Sequence, residues 1–265
     1  MHAFDYRRPT SLAEALRLLQ DEEARPLAGG MTLLPTMKQR MAQPETIVDL
    51  AGIPGLSGIA PSGDTLTIGA MTCHRAVAES VEVQRFAPAL AQLAGNIGDP
   101  MVRNRGTIGG SVANSDPAAD YPAAVLGLGA TLIAGGRQIG ADEFFVGMFE
   151  TALQPGELLT AVRFPRPAKA SYAKFRNPAS RYAIVGVFVA NGPAGVRVAV
   201  TGAGGCVFRW GEAEAALAKH WSADALKDLD HPADELNADI HASAEYRAHL
   251  IKVMAQRAVA ASLQS

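Results

Sequence analysis

The chain is poor in cysteine: Cys73 and Cys206 are its 2 thiols, and they lie far apart. A disulfide framework, a zinc ribbon and a self-contained iron–sulfur site each need several sulfur ligands at close spacing, so all three are disfavoured. Charge of one sign is missing too. The 24 Lys plus Arg and 26 Asp plus Glu leave a formal net charge of -2, without the basic patch of a nucleic-acid binder. No apolar run is long enough to span a bilayer, since the longest weakly charged stretch, 121–134, contains Gly127 and Gly129. The start, Met1-His2-Ala3-Phe4-Asp5-Tyr6-Arg7-Arg8, has no apolar signal core behind it. These absences predict a reduced, cytoplasmic, globular protein. With 48% apolar residues it can bury a sizeable core.

What the chain has in quantity is glycine, 26 residues, and they cluster. The segments around them read as alternating strands and helices. Ser11-Leu12-Ala13-Glu14 has the form of a capping box, and Leu12, Ala15, Leu16 and Leu19 recur at helical spacing, which predicts a helix over 11–23. Strands are predicted over 25–28, 46–50 and 65–68, and helices over 32–41, 72–79 (capped by Thr72) and 86–94. Residues 95–117, rich in Gly and Pro, read as a long ordered loop, followed by a helix over 118–128 and strands over 130–134 and 157–164. Pro165-Arg166-Pro167 blocks both helix and ladder and is the best domain boundary, giving units of 1–166 and 167–265. After it, strands over 172–176, 182–190 and 196–201 suggest an antiparallel meander, and helices over 211–219, 223–229 and 244–263 follow.

Two glycine segments carry chemistry. In Leu27-Ala28-Gly29-Gly30-Met31-Thr32 a strand enters, two glycines permit positive φ, and a helix leaves through a threonine that can cap it. That geometry can aim backbone N–H groups at a pyrophosphate; read alone, a plain strand-to-helix turn fits it better. The second, Arg105-Gly106-Thr107-Ile108-Gly109-Gly110-Ser111 on through Asn114 to Asp120, combines glycines, hydroxyls, an amide and a carboxylate, and favours a ligand-binding reading over an Ω-loop that satisfies only itself. Neither segment is a P-loop, and Gly127-Leu128-Gly129 lacks the third glycine of a dinucleotide fingerprint. A diphosphate held by two separated loops remains.

Ala28-Gly29-Gly30-Met31-Thr32-Leu33-Leu34-Pro35 and Thr107-Ile108-Gly109-Gly110-Ser111-Val112-Ala113-Asn114, followed by Asp116-Pro117-Ala118-Ala119-Asp120-Tyr121-Pro122, resemble the FAD-binding medium subunit of the molybdenum hydroxylases, the family of carbon monoxide, nicotine and xanthine dehydrogenases. The resemblance extends over the opening Phe4-Asp5-Tyr6, Gly156-Glu157-Leu158-Leu159 and Tyr246-Arg247. It implies an α+β fold: a flavin domain of the vanillyl-alcohol-oxidase type, made of two α/β subdomains, followed by a C-terminal domain of antiparallel strands and helices. FAD would lie extended between them. By position, Ala28, Gly29, Gly30, Met31 and Thr32, with Thr107, Ile108, Gly109, Gly110 and Ser111, would bind the diphosphate, and Arg25, Leu27, Leu33, Gly106 and Asn114 would also contact the cofactor. Asp120 would take a ribose hydroxyl, Leu159 would lie near a ring, and Lys174 or Arg176 would sit beside the isoalloxazine. Relatives that carry histidine or threonine at Met31, or aspartate or asparagine at Ser111, leave the backbone contacts intact but not those side chains' roles.

The resemblance also implies a dimer of heterotrimers. A large partner subunit would hold molybdopterin and molybdenum, and a small one two [2Fe–2S] clusters, which agrees with the shortage of cysteine here. A stand-alone flavin oxidoreductase of the same fold and a non-catalytic FAD-binding assembly module are the rival readings. The histidines His2, His74, His220, His231, His241 and His249 show no metal spacing; His74 could carry a covalent flavin link, though an ordinary helix-start histidine fits better. Asp116 and Asp120 look like an acid–base pair, but ribose binding or charge at a helix start explains them better. No residue is assigned as a general acid or base.

Overall fold

A computed structural model of the chain describes residues 1–264. Strands β1 (Asp5–Arg7), β2 (Ala24–Leu27) and β3 (Thr46–Asp49) form a parallel sheet in the order β1-β3-β2. Parallel neighbours need crossovers. Helix α1 (Leu12–Leu18) supplies one, and α2 (Leu33–Lys38) the other. The Ser11 hydroxyl accepts from Glu14 N at 3.2 Å, as its capping pattern predicts, while the Glu14 carboxylate reaches back to Thr10 N at 3.1 Å. Helix α1 ends at Leu18, short of the predicted 23.

Between β3 and the C-terminal sheet run β4 (Ile59–Ser62), β5 (Thr65–Gly69), β6 (Thr131–Ala134), β7 (Arg137–Gly140), the hairpin β8 (Phe145–Gly147) with β9 (Glu150–Thr151), and β10 (Leu159–Pro165). All but the hairpin make an antiparallel sheet ordered β4-β5-β10-β6-β7. Helices α3 (His74–Glu79), α4 (Val81–Phe86), α5 (Pro88–Gly95), α7 (Ile108–Asn114) and α8 (Tyr121–Leu128) share its core, α6 (Pro100–Arg105) packs against α3, and α9 (Ala141–Phe144) follows β7. The helix predicted over 86–94 is α5, which starts at Pro88, while α4 over Val81–Phe86 is not among the predicted helices; Ala87 parts the two because Pro88 opens α5 and cannot continue α4.

The segment 95–117 is not a loop but largely helical. Asp99 caps α6, its carboxylate accepting from Val102 N at 2.9 Å with Pro100 in the first turn; Thr107 caps α7, its hydroxyl accepting from Gly110 N at 3.1 Å. Glycine and proline counts hid these helices. Packing overrides the low propensity of Gly109 within α7, since a Cβ there would come within 2.4 Å of Ala70 Cβ. Two predicted caps also fail. The Thr72 hydroxyl is spent on Gly58, leaving Cys73 ahead of α3, and Thr32 makes no side-chain bond at α2.

The C-terminal sheet is the predicted meander: β11 (Lys169–Arg176), β12 (Ala183–Gly192), β13 (Gly195–Thr201) and β14 (Phe208–Arg209), all antiparallel. Helix α10 (Gly211–Lys219) and the long α11 (Ala244–Ser262) follow, while residues 223–226 form only a single 3-10 turn. Strand β12 is covered on both faces. Phe188 and Ala190 join the core under α5 and α8, and Val185, Val187 and Val189 join the core under α11. Arg247 ties α11 to the end of β12, donating to Ile184 O at 2.6 Å and Gly202 O at 2.9 Å while paired with Asp239.

Candidate cofactor-binding site

The strand β2 delivers Ala28 and Gly29 to the edge of a cavity of about 690 Å³, and Gly30, at φ +73°, turns the chain toward α2. From Gly29 to Leu33 no backbone N–H has a hydrogen-bond partner within the chain. Five consecutive amides therefore stand at a cavity wall with unused donors. Such groups are costly to leave unpaired unless water or a ligand takes them.

Opposite lies the second glycine segment, and its amides, that of Thr107 excepted, are already spent. Gly106 N donates to Val102 O, Ile108 N to Thr72 O, Gly109 N to Ala70 O at 2.8 Å, Gly110 N to the Thr107 hydroxyl and Ser111 N to Thr107 O. The segment is thereby stitched to the turn after β5. It still offers side chains: the Ser111 hydroxyl and the Asn114 amide line the cavity with no partner in the chain. The two segments meet backbone to backbone. A Cβ on Gly29 would lie 2.1 Å from Arg105 O and 2.7 Å from Gly106 Cα, so a side chain there would force them apart.

Most of the residues singled out from the sequence line this one cavity, from Arg25 and Ala28–Leu33 to Gly106, Thr107, Gly109–Ser111, Asn114, Asp120 and Leu159. Four do not. Ile108 is fully buried in the core, and Leu27 lies behind Gly30. Arg176 is exposed at the end of β11. The Lys174 ammonium is turned inward, its side chain 4% exposed, and is consumed by Asp120 at 2.9 Å, Asn96 O at 3.1 Å and Arg181 O at 3.2 Å. Lys174 thus ties together three stretches of cavity wall: the turn before Ile97, the start of α8 and the loop after β11. Asp120 also accepts from the Tyr172 hydroxyl, so its carboxylate anchors the C-terminal sheet whatever else it binds. Burial pushes this carboxyl up, against the pull of Lys174 and Tyr172.

Several further residues line the cavity, among them His74 and Asp116, which the sequence assigns bland roles. His74, 4% exposed, lines the cavity at the start of α3, and its N–H donates to Gly106 O at 2.9 Å. Burial, reinforced by the Arg103 guanidinium, pulls its imidazole down to about 4, so it is neutral near pH 7. Its Nδ1 has no partner, and its ring lies 5.3 Å from that of Tyr121, whose hydroxyl is likewise unpartnered. Asp116 lines the wall with its carboxyl raised by burial. Phe149, Leu153, Arg181 and Tyr182 complete the rim. No group of three or more His, Cys, Asp and Glu side chains among the described residues could hold a metal ion.

A cavity of this volume, with unpaired amides on one wall and hydroxyl and amide side chains on the other, suits a ligand that carries a diphosphate. Comparison with known proteins decides which. Residues 2–167 match the family model described as the FAD binding domain in molybdopterin dehydrogenase. The chain belongs to this family. It is 38% identical over 284 residues to the carbon monoxide dehydrogenase medium chain of Afipia carboxidovorans, covering 97% of this chain and 96% of that one. It is 35% identical over 272 residues to the nicotine 6-hydroxylase medium subunit of Paenarthrobacter nicotinovorans, covering 97% and 96%. Among solved structures, reconstituted CO dehydrogenase from Oligotropha carboxidovorans superposes with a TM-score of 0.91 at 35% identity, covering 98% of each chain. The α+β fold and the membership in the medium-subunit family inferred from the two glycine segments both stand.

Proposed function

We propose that this chain binds FAD in the cavity between its glycine segments and serves as the electron-transfer subunit of a molybdenum-dependent hydroxylase. The observation that carries the reading is the row of unpaired amides from Gly29 to Leu33. They would hold the diphosphate, while the Ser111 hydroxyl would bond its oxygens from the facing wall. Arg25, on the rim, adds positive charge for a dianionic diphosphate. When bound, FAD supplies a ring that accepts electrons and passes them on, which no side chain here can do. The chain's own part is to position that ring, exclude water and set the surrounding charge. Asp116 and Asp120 on the wall, with Lys174 neutralising the latter, define that charge.

The division into a flavin domain over 1–166 and a C-terminal domain over 167–265 belongs to the same proposal, as does a cytoplasmic site of action. The partners are a large molybdopterin-binding subunit and a small subunit with two [2Fe–2S] clusters, assembled as a dimer of heterotrimers. The low cysteine count supports this, because the cluster thiolates must come from another chain. Among the described residues no helix is long and apolar enough to cross a membrane. The test is spectroscopic. The purified chain or complex should show visible flavin absorption that bleaches on reduction, with iron and molybdenum following the partner subunits. A colourless chain that takes up no FAD contradicts the reading.

A further inference from the structure

The turn between β8 and β9 consists of Met148 and Phe149, and Phe149 takes φ +56°. That is the left-handed region, where a bulky side chain is strained and where a tight turn normally places glycine or asparagine. The conformation is held from outside the turn. Phe149 N donates to Ser115 O at 3.0 Å, and the Ser115 hydroxyl donates to Gly147 O at 3.2 Å. Ser115 is itself left-handed, at φ +46°, and closes the C-terminal end of α7. Two strained residues thus brace one another beside the cavity.

What the bracing holds in place is a phenyl ring. The Phe149 residue is 58% exposed, lines the cavity, and has no aromatic partner among the described residues. Both its backbone and its exposure are unfavourable for the chain alone, and a small turn residue would relieve both. Strain of this kind persists where the surroundings impose it for use. The location fits a use. Helix α7 has 7 residues, and at ~1.5 Å per residue its far end lies roughly 10 Å from Thr107, about the reach from a diphosphate to a terminal ring. Leu153 and Asn114 line the same wall, one apolar for a ring face and one polar for a ring edge.

We propose that Phe149 is a stacking platform for one of the planar ring systems of the bound dinucleotide. The proposal rests on the FAD reading above and adds a binding residue to it. Phe149→Gly in the full chain tests it, because glycine adopts φ +56° without strain. The FAD-free variant should melt at or above the wild-type temperature, while its dissociation constant for FAD rises about tenfold, the scale of one lost ring-on-ring stack. Phe149→Asn, which tolerates the same backbone, should lose affinity alike, and Phe149→Tyr should restore it. ADP assigns the ring. Equal weakening of ADP and FAD places the adenine on Phe149, and weakening of FAD alone places the isoalloxazine there; either result supports the platform. It is overturned if Phe149→Gly and Phe149→Asn bind FAD as tightly as wild type, or if both melt well below it with affinity unchanged. A wild-type chain that binds neither FAD nor ADP removes the reading beneath the platform, and the platform with it.

Discussion

In the segment from Gly29 to Leu33 the amides have no partner, whereas in the segment from Gly106 to Ser111 the amides of Gly106 and Ile108–Ser111 all donate within the chain. The two stretches carry the same residue types and share one cavity, yet glycine serves a different end in each. In the first, Gly30 takes a positive φ that turns the chain while its neighbours' amides stay open. In the second, Gly109 is there because Ala70 leaves no room for a Cβ, so α7 can lie close against the turn after β5. The first segment is a donor array and the second is a wall that carries side-chain donors. A phosphate reads the difference directly, since it needs free N–H groups rather than glycine as such.

The contrast can be broken by loading the wall. Gly109→Ala would drive a Cβ to 2.4 Å from Ala70 Cβ, and overpacking of this kind costs on the order of 3 kcal/mol. The expected result is a large fall in melting temperature of the FAD-free chain; a variant as stable as wild type would show that the wall is not tightly packed. A comparable effect comes from protonating the imidazole behind it. Because the folded-state His74 value is lowered from 6.5 to about 4, the folded chain binds fewer protons than the unfolded one in that window. Stability is therefore full above pH 6.5 and falls as the pH drops toward 4, by about 3 kcal/mol in all. In His74→Asn that part of the pH dependence should vanish from denaturant titrations across the range. The smallest effect sharpens the comparison most. Thr107→Val removes the α7 cap and should cost about 1 kcal/mol, measured by urea unfolding. Its FAD affinity should stay within about threefold of wild type, because the cap serves the wall and not the ligand.

Much of this was legible in the sequence, but not evenly. The meander after Pro167 and helix α10 emerge from alternation and turn residues, since β-branched strands bounded by glycine are a local pattern. Both glycine segments are visible as chemistry-bearing, and they do converge on one cavity. The helices α6 and α7 were hidden because glycine and proline within them signal a loop, and only the fit against Ala70 and the caps at Asp99 and Thr107 show why they form. Which segment has free donors could not be read locally either, as it depends on partners at Ala70 and Thr72. The inward turn of Lys174 likewise follows from Asp120, which is 54 positions away in the sequence. Phe149 and Tyr182 carry no pattern at all, and His74 reads only as a helix-start histidine; a lone histidine or aromatic in a turn becomes informative only once the cavity is drawn around it.

The division of labour between the two segments is tested most directly by amide hydrogen exchange of the full chain with and without FAD. The account predicts that FAD slows exchange strongly at Gly29 to Leu33, where the donors are unused, and changes Ile108 to Ser111 little, where they are already bonded. New protection confined to Ile108–Ser111, with Gly29–Leu33 still exchanging freely, would contradict it.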